Sequence, residues 1–513
     1  MIVEVHKFLS KILKNDQFFN GKTFFVGGSV RDYFRNEKAH DVDIVINQKD
    51  GAKKLSYFIY NKIKEKIASY DKIITSPYNL GNYPIYSITF KDNFEFDGIF
   101  YKLKNVIIEI AETMKETFPD DESRQRVVEF SSLKDDIFRR DFSINSGLID
   151  VVSFEFINLT ESDILEDIKN GIIKCNNNDD EYISKILTED PLRILRGCVF
   201  AARFNFKIDE AVKIQMVKNI ERLKIVSRER INAEIKKALE VQGGLYRLVD
   251  NLNKINALDI VFPKITDLKL IQQFNKDENG HYYPDVRNIH LEGAFVFTHV
   301  MNVIKYVKKG YEIGLAALYH DVGKIYPEFK NGKVRFINHE YIGGKIIDRI
   351  FPEMKIDIDT TKNVKFLVEN HMKLHKMHDL SKKSIRKFIR EIPTDNLRYE
   401  LYDLCNADCL GTLHKNEYGI SSMTPHYEAI ELIENVIQEE SIIVEKPFRY
   451  FNGNEIMSFL KISGKPVGDA IKIMLEIQDE YGFDQNKEFI KNEIIKEFNK
   501  KYGKNRSNII HTN

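Results

Sequence analysis

The sequence predicts an α/β unit at the amino terminus followed by all-α units. Between Thr23 and Tyr101, short apolar runs are broken by glycine and other turn residues, the pattern of buried strands. From about Ile164 onward, apolar residues recur at the helical period instead. The third observation is size. A chain of 513 residues, 43% hydrophobic and 30% charged, is long enough for three or more packed cores and excludes disorder over most of its length.

Taken in order, Val5, Phe8, Leu9, Ile12 and Leu13 predict a helix within residues 1–20. Thr23–Val26 is a buried strand ended by Gly27-Gly28, and Ser29–Arg35 is the helix after it. Val42–Ile46 is a second strand. Ile85–Phe90 and Phe94–Tyr101 are two more, joined into a hairpin by Lys91-Asp92-Asn93. Pro191 starts the helix PLRILRGCVFAARF, with Asp190 at the N-cap, and a second helix runs from Ser227 through INAEIKKALE. The polar stretch 275–284 is the best linker. A histidine-rich helical region follows to about Ile433, then a charged joint at Gln438-Glu439-Glu440 and a helical tail. The expected domains are 1–150 (catalytic head), 151–274 (helical neck and body), 285–435 (histidine-rich) and 436–513 (tail).

Lys+Arg and Asp+Glu both number 77, so the formal charge is zero. That excludes a uniformly basic surface, and any nucleic-acid contact has to come from local patches. Four cysteines, Cys175, Cys198, Cys405 and Cys409, suit a reducing compartment. Cys405 and Cys409, four apart with no second cysteine pair nearby, are read as buried thiols rather than a structural zinc site. No stretch approaches the roughly 18–20 apolar residues of a membrane span, and the start has no secretory pattern. A cytoplasmic protein with no membrane partner is expected.

Gly27-Gly28-Ser29 lies between a strand and a helix, where bare backbone approaches phosphate oxygens and Arg31 adds a full charge. A Gly-Gly turn is also a common structural device. Asp41-Val42-Asp43 then opens a strand, and alternation puts both carboxylates on one face. They repel there unless a cation sits between them, and Mg²⁺ prefers such oxygen ligands. Glu95 or Asp97, on the later strand, offers a third carboxylate. This set suits two-metal phosphoryl or nucleotidyl transfer.

GGSVRD (27–32) with DVDIV (41–45) resembles the signature of polymerase-beta-type nucleotidyltransferases, in the branch of bacterial-type CCA-adding enzymes and poly(A) polymerases. RRDFSIN (139–145), TEDPLRILRGCVFAARF (188–204) and SRERINAEIKKAL (227–239) continue the resemblance in order, over residues ~20–240. It implies a polymerase-beta-like α/β nucleotidyltransferase head with a helical neck. It makes Asp41 and Asp43 metal ligands and Glu95 the strand carboxylate, although FEFDGIF lacks the family's Thr-Thr and Arg and leaves Asp97 as a rival. It places Arg140, Asp141 and Asn145 near the sugar and triphosphate, and makes Glu189, Asp190 and Arg193 readers of the incoming base. A carboxylate accepts from the exocyclic amino group that CTP and ATP carry, and a guanidinium donates to ring or carbonyl acceptors. An N-cap Asp and a solvated Arg are the plainer alternative. Arg196, one turn on, is assigned to the same pocket.

His299, His320-Asp321, His339, His371 and Asp408 form the second constellation, in an otherwise helical region. His320-Asp321-Val322-Gly323-Lys324 resembles the HD(I/V)GK signature of HD-domain phosphohydrolases over residues 288–412. The resemblance makes His299 the first ligand, Asp408 the closing one, and His339 and His371 the extra ligands of two-metal members. His281, His290 and His375 fall outside the pattern and are read as ordinary. The ligand set suits a transition ion, such as Mn²⁺ or Ni²⁺, as well as Zn²⁺. Residues 447–481 resemble the carboxy-terminal segment of HD-containing CCA-adding enzymes.

The expected function is addition of CCA to tRNA 3′ ends, with the acceptor arm, CTP and ATP as partners, Mg²⁺ in the head and HD-domain phosphohydrolase activity. Poly(A), CC-only or A-only addition is the nearest alternative. A rival of another class is an HD phosphohydrolase with an RNA-docking head.

Overall fold

The computed structural model describes residues 1–513 except 39–40, 82, 118–126, 273–294, 331–332, 378–380, 417–418, 441–448 and 503–513. The predicted linker 275–284, with His281 and His290, lies outside the described residues. The chain divides into two compact units, Met1–Phe262 and Pro263–Asn513.

In the first unit, α1 (Ile2–Leu13) buries Val5, Phe8, Leu9 and Leu13, the face its spacing assigns. Phe8 packs edge-on against Phe90, Phe94, Phe96 and Tyr101 at centroid distances of 5.3–5.9 Å. The other head elements are β1 (Thr23–Phe25), α2 (Gly28–Phe34), β2 (Val42–Ile46), α3 (Gly51–Lys66), α4 (Tyr70–Ile73), β3 (Tyr78–Asn79), β4 (Ile85–Phe90), β5 (Phe94–Phe96), β6 (Ile99–Tyr101), β7 (Val106–Glu112), β8 (Met114–Thr117), β9 (Val127–Phe130), α5 (Leu133–Phe138), β10 (Leu148–Asp150) and β11 (Phe156–Ile157). Seven strands form one sheet in the order β11-β10-β1-β2-β7-β4-β3, in which β2 and β7 pair in parallel. Since β11 pairs with β10, the sheet continues past residue 150.

Two predicted elements are corrected. Phe94–Tyr101 is two strands paired with each other, folded at Asp97-Gly98, whose φ angles are 48° and 74°. Asp-Gly at positive φ is a tight hairpin turn, so the reversal falls there and not only at Lys91–Asn93. The partner of β4 is β7, a strand the sequence reading passed over. Its apolar run VIIEIAE alternates buried and less buried residues, with every second side chain in the core.

The remainder of this unit is helical apart from a short parallel pair of strands, Ile172–Ile173 with Lys207–Ile208: α6 (Ile164–Asn170), α7 (Asp180–Glu189), α8 (Leu192–Phe204), α9 (Glu210–Lys218), α10 (Arg228–Leu239), α11 (Gly244–Lys254) and α12 (Leu258–Val261). As predicted, α8 and α10 follow Pro191 and Ser227, and α8 stops at Asn205 in the left-handed region. Pro191, one residue after Asp190, takes the N-cap position.

The second unit is all-α apart from short hairpins. It contains α13 (Val296–Tyr306), α14 (Tyr311–Tyr319), a 3₁₀ turn (Val322–Ile325), α15 (His339–Glu353), α16 (Ile358–Asn370), α17 (Lys373–Lys376), α18 (Lys382–Arg390), α19 (Asp395–Gly411), α20 (Tyr427–Glu439), α21 (Gly453–Leu460), α22 (Lys465–Tyr481) and α23 (Lys487–Tyr502). The run GLAALY is buried on every side in α14 and delivers His320 to the interior. The expected boundary at 435/436 falls within α20.

Candidate active site and metal centre

The parallel register of β2 and β7 sets Asp43 directly beside Glu109. Asp41 stands at the exposed entry to β2, close enough to act on both electrostatically. Burial, then the charge of Asp41, pushes the Asp43 carboxyl up to about 6, and the same two causes raise Glu109. Two carboxylates pushed up by burial and by the charge of a third beside them fit a divalent cation. Gly27 makes room for them: a Cβ there would meet Asp43 Oδ2 at 3.0 Å.

This corrects the third carboxylate. Glu95 is exposed on the β5–β6 hairpin opposite Phe100, and Asp97 pairs with Lys66. Neither lines the cleft, because their strands form a separate hairpin outside the sheet. A glutamate in the middle of the apolar run of β7 was the signal for Glu109, and it requires recognising that run as a strand.

Asp43 and Glu109 face a cleft of about 660 Å³ lined by Gly27, Gly28, Arg31, Arg140, Asp141, Asn145, Asp190, Arg193 and Arg196, all nine singled out from sequence. Arg139, Arg203, Arg230 and Lys237 join them, so eight basic side chains face five carboxylates. The basic groups are held in place. Arg140 and Arg139 share the fully buried Asp136 at 2.9 and 2.7 Å. Arg31 donates to Asp32 at 2.8 Å and to Asn145 Oδ1 at 2.7 Å, and it stacks on Phe204. Asn145 donates to Asp141 at 3.0 Å, and Arg196 donates to Asp141 at 2.7 Å. Burial alone would raise the Asp141 carboxyl; Arg196 and Asn145 hold it below the usual range.

Asp190 accepts from the Leu192 backbone N–H at 3.2 Å and from Arg230 at 2.7 Å. Arg193 spends two nitrogens on backbone, donating to the Ile186 and Arg139 carbonyls at 2.8 and 2.7 Å. Besides Glu95, the predicted residues Asp41, Ser29 and Glu189 do not line the cleft, although Asp41 stands beside Asp43 at the entry to β2. Ser29 turns inward and donates to the Val26 carbonyl at 2.9 Å. Glu189 stands back, 3.8 Å from Arg193, as the last residue of α7.

In the second unit the six predicted ligands converge as two buried groups, His299–His320–Asp408 and Asp321–His339–His371. His299 Nε2 lies 3.1 Å from His320 Nε2 and 3.0 Å from Asp408 Oδ1. His339 Nε2 lies 3.3 Å from both His371 Nε2 and Asp321 Oδ1. Asp321 turns Oδ2 toward the first group, 3.5 Å from His299 and 3.4 Å from His320. The Nδ1 atoms of His320, His339 and His371 face the Ala317, Phe336 and Val368 carbonyls at 2.7–2.9 Å, which leaves Nε2 to bind a metal. Burial and His320 push His371 down to about 3, so it stays a neutral donor. Asp321 Oδ1 is buried without a hydrogen-bond partner between two imidazoles, as expected where a cation belongs. Lys324 donates to Asp321 Oδ2 at 2.6 Å. His375, read from sequence as ordinary, lies 3.1 Å from Asp408 Oδ2.

No helix among the described residues is long and apolar enough to cross a membrane. Three family models match the chain: the poly A polymerase head domain over residues 23–174, the segment described as "probable RNA and SrmB-binding site of polymerase A" over 205–269, and the HD domain over 296–410. Domains of the head and HD kinds bind divalent metal ions. A CCA-adding enzyme of Staphylococcus saprophyticus is 31% identical over 227 residues, 44% of this chain and 48% of that protein. The chain thus spans about half the length of that relative. A multifunctional CCA protein of Acinetobacter baylyi is 26% identical over 337 residues, 63% of this chain and 74% of that protein. Among solved structures, the Bacillus stearothermophilus CCA-adding enzyme in complex with CTP shares the fold, with a TM-score of 0.62 at 16% identity over 98% of this chain and 99% of that one. Residues 23–174 therefore match the poly A polymerase head domain, residues 205–269 the RNA-binding segment and residues 296–410 the HD domain.

Proposed function

We propose that the first unit adds C, C and A to tRNA 3′ ends from CTP and ATP without a nucleic-acid template, and that the HD domain is a metal-dependent phosphohydrolase. The observation that carries the first reading is Asp43 in register with Glu109, beside Asp41, at a cleft of held arginines. Asp41, Asp43 and Glu109 would hold Mg²⁺, whose bound form lowers the pKa of the attacking 3′-hydroxyl and neutralises charge on the triphosphate. Arg140 and Arg31, fixed by Asp136 and by Asp32 with Asn145, meet the phosphates with little side-chain freedom left to lose. Asp190, oriented by Arg230, accepts from the amino group shared by cytosine and adenine. Arg193 ties this helix start to the carbonyls of Ile186 and Arg139, and so acts in part by positioning. Four buried thiols without a disulfide agree with a reducing, cytoplasmic setting.

The HD ligands are imidazole-rich and suit Mn²⁺ or Ni²⁺. The two groups would hold one ion each on either side of Asp321, and the bound ions would supply a nucleophile from water.

The test follows tRNA transcripts ending before C, before CC and before CCA, each with single labelled nucleotides. CTP and ATP should be added in order and addition should stop after A. Asp43→Asn should abolish addition while leaving tRNA binding within a few-fold. Runs of A alone would assign a poly(A) polymerase. On the same preparation, His320→Ala should remove hydrolysis of phosphomonoesters or 2′,3′-cyclic phosphates and spare nucleotide addition. No hydrolysis by the unsubstituted protein with any divalent ion would reduce the HD domain to a scaffold.

A further inference from the structure

We propose a third metal site in the second unit, made by His375, Cys409 and His426, that takes Zn²⁺ or another thiol-binding divalent ion. The three side chains come from different places: His375 from α17, Cys409 from α19, and His426 from the residue that precedes α20. Cys409 Sγ lies 4.0 Å from His375 Nδ1, and His426 Nε2 lies 3.2 Å from the same nitrogen. All three ligand atoms fall within 4.8 Å of one another. Zinc binds sulfur at about 2.3 Å and imidazole nitrogen at about 2.0–2.1 Å, so tetrahedral ligands stand roughly 3.3–3.6 Å apart. The two distances to His375 Nδ1 lie within about 0.5 Å of that spacing.

Ordinary packing explains the arrangement poorly. Two ring nitrogens and one thiol facing a common centre have few protons to share among them, and Cys409 is fully buried there. Cys405, one turn earlier on the same helix, shows what a structural thiol does: its Sγ donates to the His371 carbonyl at 2.9 Å. Cys409 has no such backbone acceptor among the contacts described for it and faces two imidazoles instead.

The surroundings of His375 complete the case. Its Nδ1 faces the centre of the trio, while its Nε2 lies 3.1 Å from Asp408 Oδ2. A carboxylate behind a histidine orients the ring and makes its other nitrogen a better donor to a metal. The same Asp408 turns Oδ1 toward His299 at 3.0 Å. One carboxylate therefore touches both the HD centre and the proposed site, through different oxygens. On binding, the ion displaces to solvent the Cys409 thiol proton and the proton that His375 Nδ1 carries when its ring is charged, and it takes both imidazoles as neutral donors. Three protein ligands leave a fourth position for water or a further ligand.

The test uses the full chain, stripped with a chelator and titrated with Co²⁺. The HD ligands are nitrogen and oxygen only, so a near-ultraviolet sulfur-to-cobalt charge-transfer band reports the proposed site alone. The band should grow to one equivalent of cobalt and disappear on adding Zn²⁺. Cys409→Ser should abolish it, whereas Cys405→Ser should leave it. His426→Gln, at a half-buried position with no predicted role in the HD centre, should raise the cobalt concentration for half-maximal absorbance at least tenfold. Circular dichroism shows whether each variant is folded. Absence of the band at cobalt concentrations that fill the HD centre, its survival in Cys409→Ser, or an unchanged titration in His426→Gln would each overturn the proposal.

Discussion

Asp43 weighs on the fold whenever no cation is bound. Its folded value of about 6 lies above the ordinary carboxylate value of 3.8, so the folded chain favours the protonated form. The destabilisation is absent below pH 4, grows between pH 4 and 6, and is complete above that. Asp43→Asn should therefore stabilise the metal-free protein at pH 7.5 by about 1–2 kcal/mol, allowing for the partial exposure of the side chain. The gain should shrink toward pH 4 and vanish in saturating Mg²⁺; urea unfolding under the three conditions reads all of this. At the same scale, Glu109→Gln should abolish nucleotide addition, whereas Glu95→Gln should leave the rate within about twofold in a primer-extension assay. The two aspartates were legible because both sit at one strand entry, separated by a single residue. Glu109 was not, because its role arises only when β7 docks in parallel beside β2, a pairing of residues 66 positions apart in sequence. The partnership of Arg230 with Asp190 escaped for the same reason, since those residues stand 40 positions apart, whereas Arg139 with Asp136 is a local pair three residues apart at the end of α5.

At the level of elements, the HD centre depends on how closely the 3₁₀ turn Val322–Ile325 approaches α15. A Cβ on Gly323 would fall 1.9 Å from the His339 carbonyl and 2.8 Å from the Gly343 nitrogen. Both obstacles are backbone, so α15 would have to shift and carry its first residue, His339, with it. Gly323→Ala should destabilise the second unit by at least about 3 kcal/mol in urea unfolding and weaken Mn²⁺ binding in isothermal titration. This glycine follows the end of α14 and also serves as a contact surface, a role that the motif alone does not reveal. Helices with one continuous apolar face, such as α8 and α10, were placed to within a residue or two, since their burial is decided by local spacing, while α1 ends at Leu13, short of residue 20. Between residues 85 and 112, β4 was placed to the residue, but the division of Phe94–Tyr101 and the strand β7 were missed, since the Asp97-Gly98 turn and the partner of β4 are settled by positive φ and by sheet order.

For the molecule as a whole, the order of motifs along the chain announced the order of domains, while the division after Phe262 carried no compositional mark. A chain of zero net charge nevertheless gathers eight basic side chains around one cleft, a concentration visible only in three dimensions. The two units should respond differently to transition ions. At a Ni²⁺ concentration 100 times the dissociation constant, ligand binding stabilises by about 2.7 kcal/mol, so the slowest amides of α13 and α19 should exchange roughly 100-fold more slowly. Strands β2 and β7, which carry none of the imidazoles, serve as the control; equal slowing there would mean that nickel acts through the carboxylates of the cleft. Asp321 adds a constraint of its own, since it turns one oxygen toward each histidine pair. The second ion to arrive meets a carboxylate already partly neutralised by the first, so the stepwise affinities must differ although the imidazole sets are alike. Metal uptake should be staggered, and protein recovered with half its complement should be a population of singly loaded molecules rather than a mixture of full and empty ones.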